Sequence, residues 1–342
     1  MIRRTKHAST ATCTLPIYMG FLMTEPNSIS CTQLAETYNI SHDSVNRFLE
    51  REDYTPHDLY QEAIQHIDNN KLIVSIDDTV LDKPYSQHMD LVSYFWSGKH
   101  HRSVKGINLI TLYATDQNGQ NIPINFRIYD KSEGKTKNDY FMDMLSEVLS
   151  WGAKIQFITG DSWYSSTGNL KTIRKYGIRF MFGIDCNRKV SPEKGQWFQL
   201  RLLPNFHQGQ VVWLKDFGFV QLFKTQLKEQ QRFYIVHQDE DDLLSFEGFH
   251  ELHSSHWKIE QYHRVIKQVC HIEKFQVRRS KLISNHIFSA LMAYVEIQKN
   301  QFERIFENVY RWQKKLFRPM IKNFIDDFIL DKNHLLPQRI YK

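Results

Sequence analysis

Between Trp257 and Lys267 the chain carries Glu260 and Lys267 seven residues apart, a spacing that puts a carboxylate and an ammonium on one face of a helix. Two further acidic positions follow apolar, strand-like runs. The cluster Asp77-Asp78-Thr79 comes after Leu72 to Ile76, and Asp161 comes after Ile155 to Thr159 and Gly160. Three acids on three elements, with a lysine beside the third, form a set able to hold divalent metal ions against a phosphate backbone. Each alone has an ordinary reading. Asp is common where a strand gives way to a turn. Asp161, Ser162 or Ser166 can cap a following helix. A Glu and a Lys seven apart usually sit in solvent. His253, His256, His263 and His271 invite a zinc reading, but no cysteine or well-placed partner completes a four-ligand set.

The chemistry therefore depends on elements that bring the acids together. Leu72 to Ile76, Ile107 to Tyr113 and Ile122 to Ile128 read as buried strands, the last two joined by the turn-rich Asp116 to Asn121. Asn138 to Trp151 has the apolar period of a helix and ends at Gly152. A fourth strand from Ile155, a helix from Thr167 to Tyr176 and a fifth strand from Phe180 to Ile184 follow. This order, β-β-β-α-β-α-β, predicts an α/β fold with a mixed sheet flanked by helices. The first and fourth strands can lie side by side and parallel, about 4.8 Å apart, which would set Asp77 beside Asp161. Alternation leaves the first acid open: a shift of one residue exchanges the faces of Asp77 and Asp78. Residues 185–245 break the regularity and read as a β-rich insertion. After them the chain is helical, with Ile259, Tyr262, Ile266 and Val269 as the apolar stripe that Glu260, Arg264 and Lys267 flank.

The first 65 residues read as helical. Leu15 to Met23 is a short apolar core helix. Ser30 to Ile40 and His42 to Glu50, the latter capped by Ser41, resemble a helix-turn-helix with Leu34, Ile40, Val45 and Phe48 inside. In that arrangement His42, Asp43, Ser44, Asn46 and Arg47 face a major groove, while an ordinary helical hairpin is the equal alternative. A net charge of +6 suits a polyanionic partner without requiring one. Four scattered cysteines without a CxxC pair point to a reducing cytosol, and no apolar run is long enough to cross a membrane. Lys99 to Arg102 with Lys105 read as an exposed basic loop, with phosphate contact beside the acids as the alternative, and Trp163 and Trp257 as packed aromatics rather than base-stacking platforms.

Taken together these residues resemble the DDE insertion-sequence transposases, in the branch whose ribonuclease H-like fold carries a β-rich insertion between the second and third acids. Asp77-Asp78-Thr79 matches the Asp-x-Thr of the first strand, and Thr159-Gly160-Asp161 matches the second acid. His253-x2-His256-x3-Glu260-x6-Lys267 keeps the spacing of the Tyr-x2-Arg-x3-Glu-x6-Lys motif, with histidine at both the Tyr and Arg positions. Histidine is neither a permanent cation nor a fork, so those two roles change. Phe275 to Arg279 followed by an apolar helix also fits the family.

The resemblance implies a DNA transposase that cleaves and transfers strands at the ends of an insertion sequence. Asp77, Asp161 and Glu260 would be its catalytic metal ligands, for Mg²⁺ with Mn²⁺ able to substitute. Lys267, Arg264, His256, His253, Arg47 and Asn46 would contact DNA. The partners would be double-stranded DNA, both terminal inverted repeats and target, bound by a homodimer on paired ends in the cytoplasm, at the bacterial nucleoid, with no membrane involved. The expected organisation is a helical DNA-binding module over 1–65, a catalytic domain over 66–184 completed by 246–300, the insertion over 185–245 and a helical tail over 301–342. A non-catalytic DNA-binding relative and a ribonuclease H-like nuclease without strand transfer are the alternatives.

Overall fold

The computed structural model describes residues 12–25, 29–98, 100–193, 195–227, 230–237 and 243–335; Lys99, part of the expected basic loop, lies outside them. Four helices come first: α1 (Leu15–Thr24), α2 (Cys31–Tyr38), α3 (His42–Arg51) and α4 (Pro56–Ala63). Their ends are set by side chains. Ser41 caps α3 by accepting from the Ser44 amide at 3.1 Å, and Thr55 with Asp58 forms a reciprocal capping box at α4. Asn39, at φ 50°, stops α2 in the left-handed conformation that Asn tolerates.

The sheet then begins with β1 (Leu72–Asp82), β2 (Ser93–Ser97), β3 (Arg102–Thr115) and β4 (Asn121–Ile128). Helix α5 (Lys137–Ser150), β5 (Ile155–Gly160), α6 (Thr167–Lys175) and β6 (Arg179–Ile184) follow. Five more strands are β7 (Lys189–Ser191), β8 (Phe198–Gln199), β9 (Gln210–Leu214), β10 (Gly218–Leu227) and β11 (Gln230–His237). Three long helices close the described chain: α7 (Phe246–Gln268), α8 (Ser280–Phe302) and α9 (Val309–Leu335).

Strand β1 is the axis of the fold. It pairs antiparallel with β3 and parallel with β5, where Ser75 meets Thr159 and Ile76 meets Gly160. Strand β4 continues on the far side of β3, and β6 lies parallel to β5. This is the ribonuclease H-like mixed sheet expected from the sequence, with β1 and the strand ending at Asp161 as parallel neighbours. The β3–β4 hairpin is also as expected. Asp116 Oδ1 accepts from the amides of Asn118 and Gln120 at 2.9 and 2.8 Å, and Gly119 supplies the positive φ.

Two features depart from the sequence reading. Strand β1 does not end before its acids; it runs through Asp77, Asp78 and Thr79 to Asp82, held by β3 residues 106–115. Strand β2 pairs with Arg102 to Gly106, so Arg102 and Lys105 lie in a hairpin strand rather than a loop. Residues 185–245 are β-rich, as read from the sequence, and their strands join the same sheet. Strand β11 pairs antiparallel with β6, from Phe233 against Ile184 to His237 against Phe180, and one eleven-stranded sheet runs through both parts.

Helix α7 packs on β1 and against α8, which also covers β4, while α5 covers β3 and β4. Tyr113 of β3 shares a 2.6 Å hydrogen bond with Tyr294 of α8 and stacks on Tyr262 of α7 at 4.8 Å. The N-terminal helices dock on α8. Asn285 donates to the carbonyls of Leu49 and Glu52 at 2.7 Å each, Tyr18 meets His286 Nδ1 at 2.8 Å, and Tyr54 stacks on Phe288 at 4.4 Å. In α1, Leu15, Tyr18, Phe21 and Leu22 are all buried, as a core helix requires. Among the described residues no helix is long and apolar enough to cross a membrane.

Candidate active site

The alternation of β1 sends its two acids to opposite faces. Asp78 points to the α5 side and is fully engaged. Its Oδ2 accepts from Asn108 Nδ2 at 2.6 Å and Lys137 Nζ at 2.7 Å, and its Oδ1 from the Tyr164 hydroxyl at 3.0 Å. Asp77 points to the α7 side. Its Oδ1 accepts from the Asp78 amide at 2.8 Å, and its Oδ2 lies 3.5 Å from His263 Nδ1. One acid is thus spent on three donors, while the other keeps an open carboxylate beneath α7.

Asp161 follows the last residue of β5. Gly160 is what allows β5 to approach its neighbours there: a Cβ would stand 2.6 Å from Phe182 Cε1 and 2.7 Å from Ile76 Cγ2. Asp161 Oδ1 accepts from the Trp163 amide at 2.9 Å, capping the 3-10 turn Ser162–Tyr164. Ser166 caps the next helix instead, by accepting from the Asn169 amide. Glu260 sits exposed on α7, whose stripe of Ile259, Tyr262 and Ile266 is wholly buried. One ligand atom each from Asp77, Glu260 and His263 lie within 4.8 Å of one another. Asp161 is outside that group but close enough to act on Asp77 through its charge.

The electrostatics show that these acids crowd each other. Burial pushes the Asp77 carboxyl well above the ordinary carboxylate range, and the charges of Asp161, Asp78 and Glu260 push it further. Asp161 reaches solvent, yet enough protein surrounds its carboxylate that desolvation, followed by the Asp78 charge, raises it to about 6; the Trp163 and Tyr164 amides and Lys137 pull the other way. His263 is buried and neutral: desolvation, then the Lys267 charge, lowers it to about 3 against the opposing pull of Asp78. Like-charged carboxylates packed this way are costly in a bare protein and are relieved by a cation, so the donor set fits a hard divalent ion.

The expected DNA-contacting residues divide. Arg264 is exposed on α7. Lys267 donates to the Val80 carbonyl at 2.6 Å and lies 3.8 Å from Glu273, tying α7 to β1. His253 and His256 turn toward the sheet: His253 Nε2 meets the Tyr234 hydroxyl at 3.0 Å, and His256 Nδ1 meets the Thr159 hydroxyl at 3.2 Å. Burial lowers both rings, His256 to about 4, so neither offers a positive charge. On α3, Arg47 is exposed and donates to the Asp43 carbonyl at 3.2 Å, and Asn46 contacts His42. Ser44 points inward instead: it is buried and accepts from the Cys13 amide at 2.9 Å. Trp163 and Trp257 are not packed away as expected, being 63% and 45% exposed.

Sequence reasoning missed His263 as a companion of the acids, and Lys137, Asn108 and Tyr164 as the partners of Asp78. The signal for His263 was present: Glu260-x-x-His263 spaces two donors one helical turn apart on one face. Lys137 leaves no such trace, because its partner lies 59 residues away.

Over residues 68–295 the chain matches the family model described as a transposase DDE domain. Its fold is similar to that of a piggyBac transposase solved as a synaptic complex with hairpin DNA, at a TM-score of 0.51 and 14% identity, over 99% of this chain and 80% of that one. An Argonaute of Marinitoga piezophila, solved with a 5′ OH guide RNA and target DNA, overlaps 71% of this chain and 32% of its own at 9% identity and a TM-score of 0.23. No curated protein matches the chain.

Proposed function

The chain belongs to the family of transposase DDE domains, and from that premise we propose that it is a DNA transposase that cuts and joins strands at the ends of a mobile element. The observation that supports the reading is geometric: donor atoms of Asp77 and Glu260 approach each other between β1 and α7, and Asp161 follows β5, the parallel neighbour of β1. These three would hold divalent ions, Mg²⁺ or Mn²⁺ in its place. Such ions supply, when bound, a more acidic attacking hydroxyl and neutralisation of the charge that builds on the phosphate and its leaving oxygen.

The protein's own groups prepare that site. Lys137, Asn108 and Tyr164 occupy Asp78, which favours Asp77 as the first ligand. Gly160 and the Trp163 amide fix where the Asp161 carboxylate stands. Lys267 holds α7 against β1 and so keeps Glu260 above Asp77. His256 steadies Thr159, which in turn meets Ser75 at 2.8 Å, stiffening the parallel pair that bears the two aspartates. Arg264, one turn beyond Glu260, is offered to the DNA backbone.

In this reading helices α1 to α4 present Arg47 and Asn46 to duplex DNA as a module spanning residues 1–65. Residues 66–184 and 246–300 form the catalytic domain, 185–245 its insertion and 301–342 a tail. Two copies would pair element ends, as a synaptic arrangement requires, with the terminal inverted repeats and then target DNA as partners. The test is cleavage of a labelled DNA end, taken from the sequence flanking the coding region, with Mg²⁺ present. Asp161→Asn and Glu260→Gln are expected to bind the DNA as wild type does and to lose cutting, because the amide keeps the shape and loses the charge. Normal cutting by either variant overturns the assignment, and binding without cutting by the wild type marks a non-catalytic relative.

A further inference from the structure

We propose that His263 is itself a metal ligand, forming with Asp77 and Glu260 a mixed oxygen and nitrogen donor set that holds Mn²⁺ more tightly than Mg²⁺. The inference rests on the catalytic reading of Asp77 and Glu260 and adds a residue to it. Glu260-x-x-His263 places a carboxylate and an imidazole on one face of α7, a spacing by which helices deliver two donors to one ion. The candidate donor atoms of Asp77, Glu260 and His263 fall within 4.8 Å of one another.

The imidazole is not accounted for by structural hydrogen bonding. His263 is 7% exposed, and its Nε2 has no hydrogen-bond partner among the described residues. A buried histidine with a purely structural role normally has its ring nitrogens paired. Its Nδ1 faces Asp77 Oδ2 at 3.5 Å, which is longer than an effective N–H···O bond. The ring is therefore held at the site without being tied down by it. Charge explains the choice of residue. Asp77 already faces the charges of Asp161, Asp78 and Glu260, and a fourth carboxylate at position 263 would add to that repulsion. A neutral imidazole adds a ligand without adding charge.

The chemical consequence is selectivity. Magnesium prefers oxygen and parts with water reluctantly, so a nitrogen donor adds little to its binding. Manganese accepts both donor types, and an added imidazole strengthens it more. Mn²⁺ is titrated into the full chain without DNA, following the free ion by electron paramagnetic resonance. The bound ion is then examined by pulsed spectroscopy for coupling to an imidazole ¹⁴N. Wild type is expected to show that coupling. His263→Ala is expected to lose it and to bind Mn²⁺ at least about tenfold more weakly, with a smaller change for Mg²⁺.

Bound Mn²⁺ without ¹⁴N coupling in the wild type overturns the proposal whether or not any variant folds, and so does wild-type Mn²⁺ affinity in His263→Ala. Asp77→Asn and Glu260→Gln separate the two readings. If they lose Mn²⁺ while His263→Ala keeps it, the histidine assignment alone fails. If they too bind as wild type, the catalytic assignment fails with it.

Discussion

Lys137→Met removes the cation that the Asp78 carboxylate faces at 2.7 Å and leaves that carboxylate in place. Stripping one partner from a fully buried pair costs about 3–5 kcal/mol. Here the two side chains keep 19% and 15% of their exposure, and Asp78 retains Asn108 and Tyr164 as donors, so water and neutral donors recover part of the loss. The expected cost is about 2–3 kcal/mol. For a chain of 342 residues, an unfolding entropy of about 2.1 cal/mol/K per residue converts this to a fall of about 3–4 °C in Tm. The assay is guanidinium and thermal unfolding of Lys137→Met, Asp78→Asn and the double variant. Once Asp78 is an amide, deleting the lysine should cost little more, giving a coupling of about 2 kcal/mol. Asp78→Asn should still bind Mn²⁺, because Asp77 is the open acid. Two results refute the reasoning: a Lys137→Met variant within about 0.5 kcal/mol of wild type, or Mn²⁺ binding that survives Asp77→Asn and fails in Asp78→Asn.

Gly160→Ala drives a methyl group to within 2.6 Å of Phe182 and 2.7 Å of Ile76. It should cost about 1–3 kcal/mol in chemical denaturation and, by moving Asp161, slow DNA cleavage at least about tenfold in protein that remains folded; undiminished cleavage would show that Asp161 does not depend on this close approach. His286 and His263 both titrate near 3 in the fold, well below the usual 6.5 of an unfolded histidine. Their contribution to stability is present above pH 6.5 and lost as pH falls through that value, by about 1 kcal/mol each at pH 5.5. Asp161 has the opposite sign, since its raised carboxyl favours the fold as it protonates near 6. His286→Gln, at a position facing Tyr18, Lys83 and His271, should remove about 1 kcal/mol of the acid-side loss, and parallel unfolding curves for the two proteins from pH 7.5 to 5.5 would refute it. Trp163 is 63% exposed two residues from Asp161, with Lys137 Nζ 5.5 Å from its ring centre. Trp163→Ala should weaken binding to a DNA end carrying an unpaired base by about 1–3 kcal/mol and bind a fully paired duplex nearly as wild type does; equal losses on both would exclude stacking.

Much of the sheet can be read from local pattern, because a strand such as Ile155–Gly160 is an apolar run closed by a turn residue. The adjacency of β1 and β5 follows from strand order and the usual crossover rules. What is not legible depends on partners distant in sequence. Asp77, Asp78 and Thr79 look like a strand terminus; they stay in β1 because β3 is long enough to pair with them. Alternation shows that the two aspartates face opposite ways, but which partner each one meets depends on Lys137 on α5 and His263 on α7. The joining of β11 to β6 has no local signature, since Phe180 and His237 are far apart in the chain. His253 and His256 keep the motif spacing while Tyr234 and Thr159 draw them inward. Ser44 illustrates the same limit on α3, where a polar residue is used to hold the Cys13 amide.

Asn285 reaches from the middle of the fold to close the carbonyl end of α3, bonding Leu49 and Glu52 with one amide group. With the Tyr18–His286 and Tyr54–Phe288 contacts, that clasp ties α3 to the same frame that carries Asp77, Asp161 and Glu260. If α3 reads the duplex as proposed, a double helix seated on it would present one fixed phosphate to the acids, and the distance from sequence signal to scission would be measured out in base pairs by the protein frame. Inserting five base pairs in that interval turns the duplex through roughly half a revolution and carries the scissile bond to the far side, out of reach.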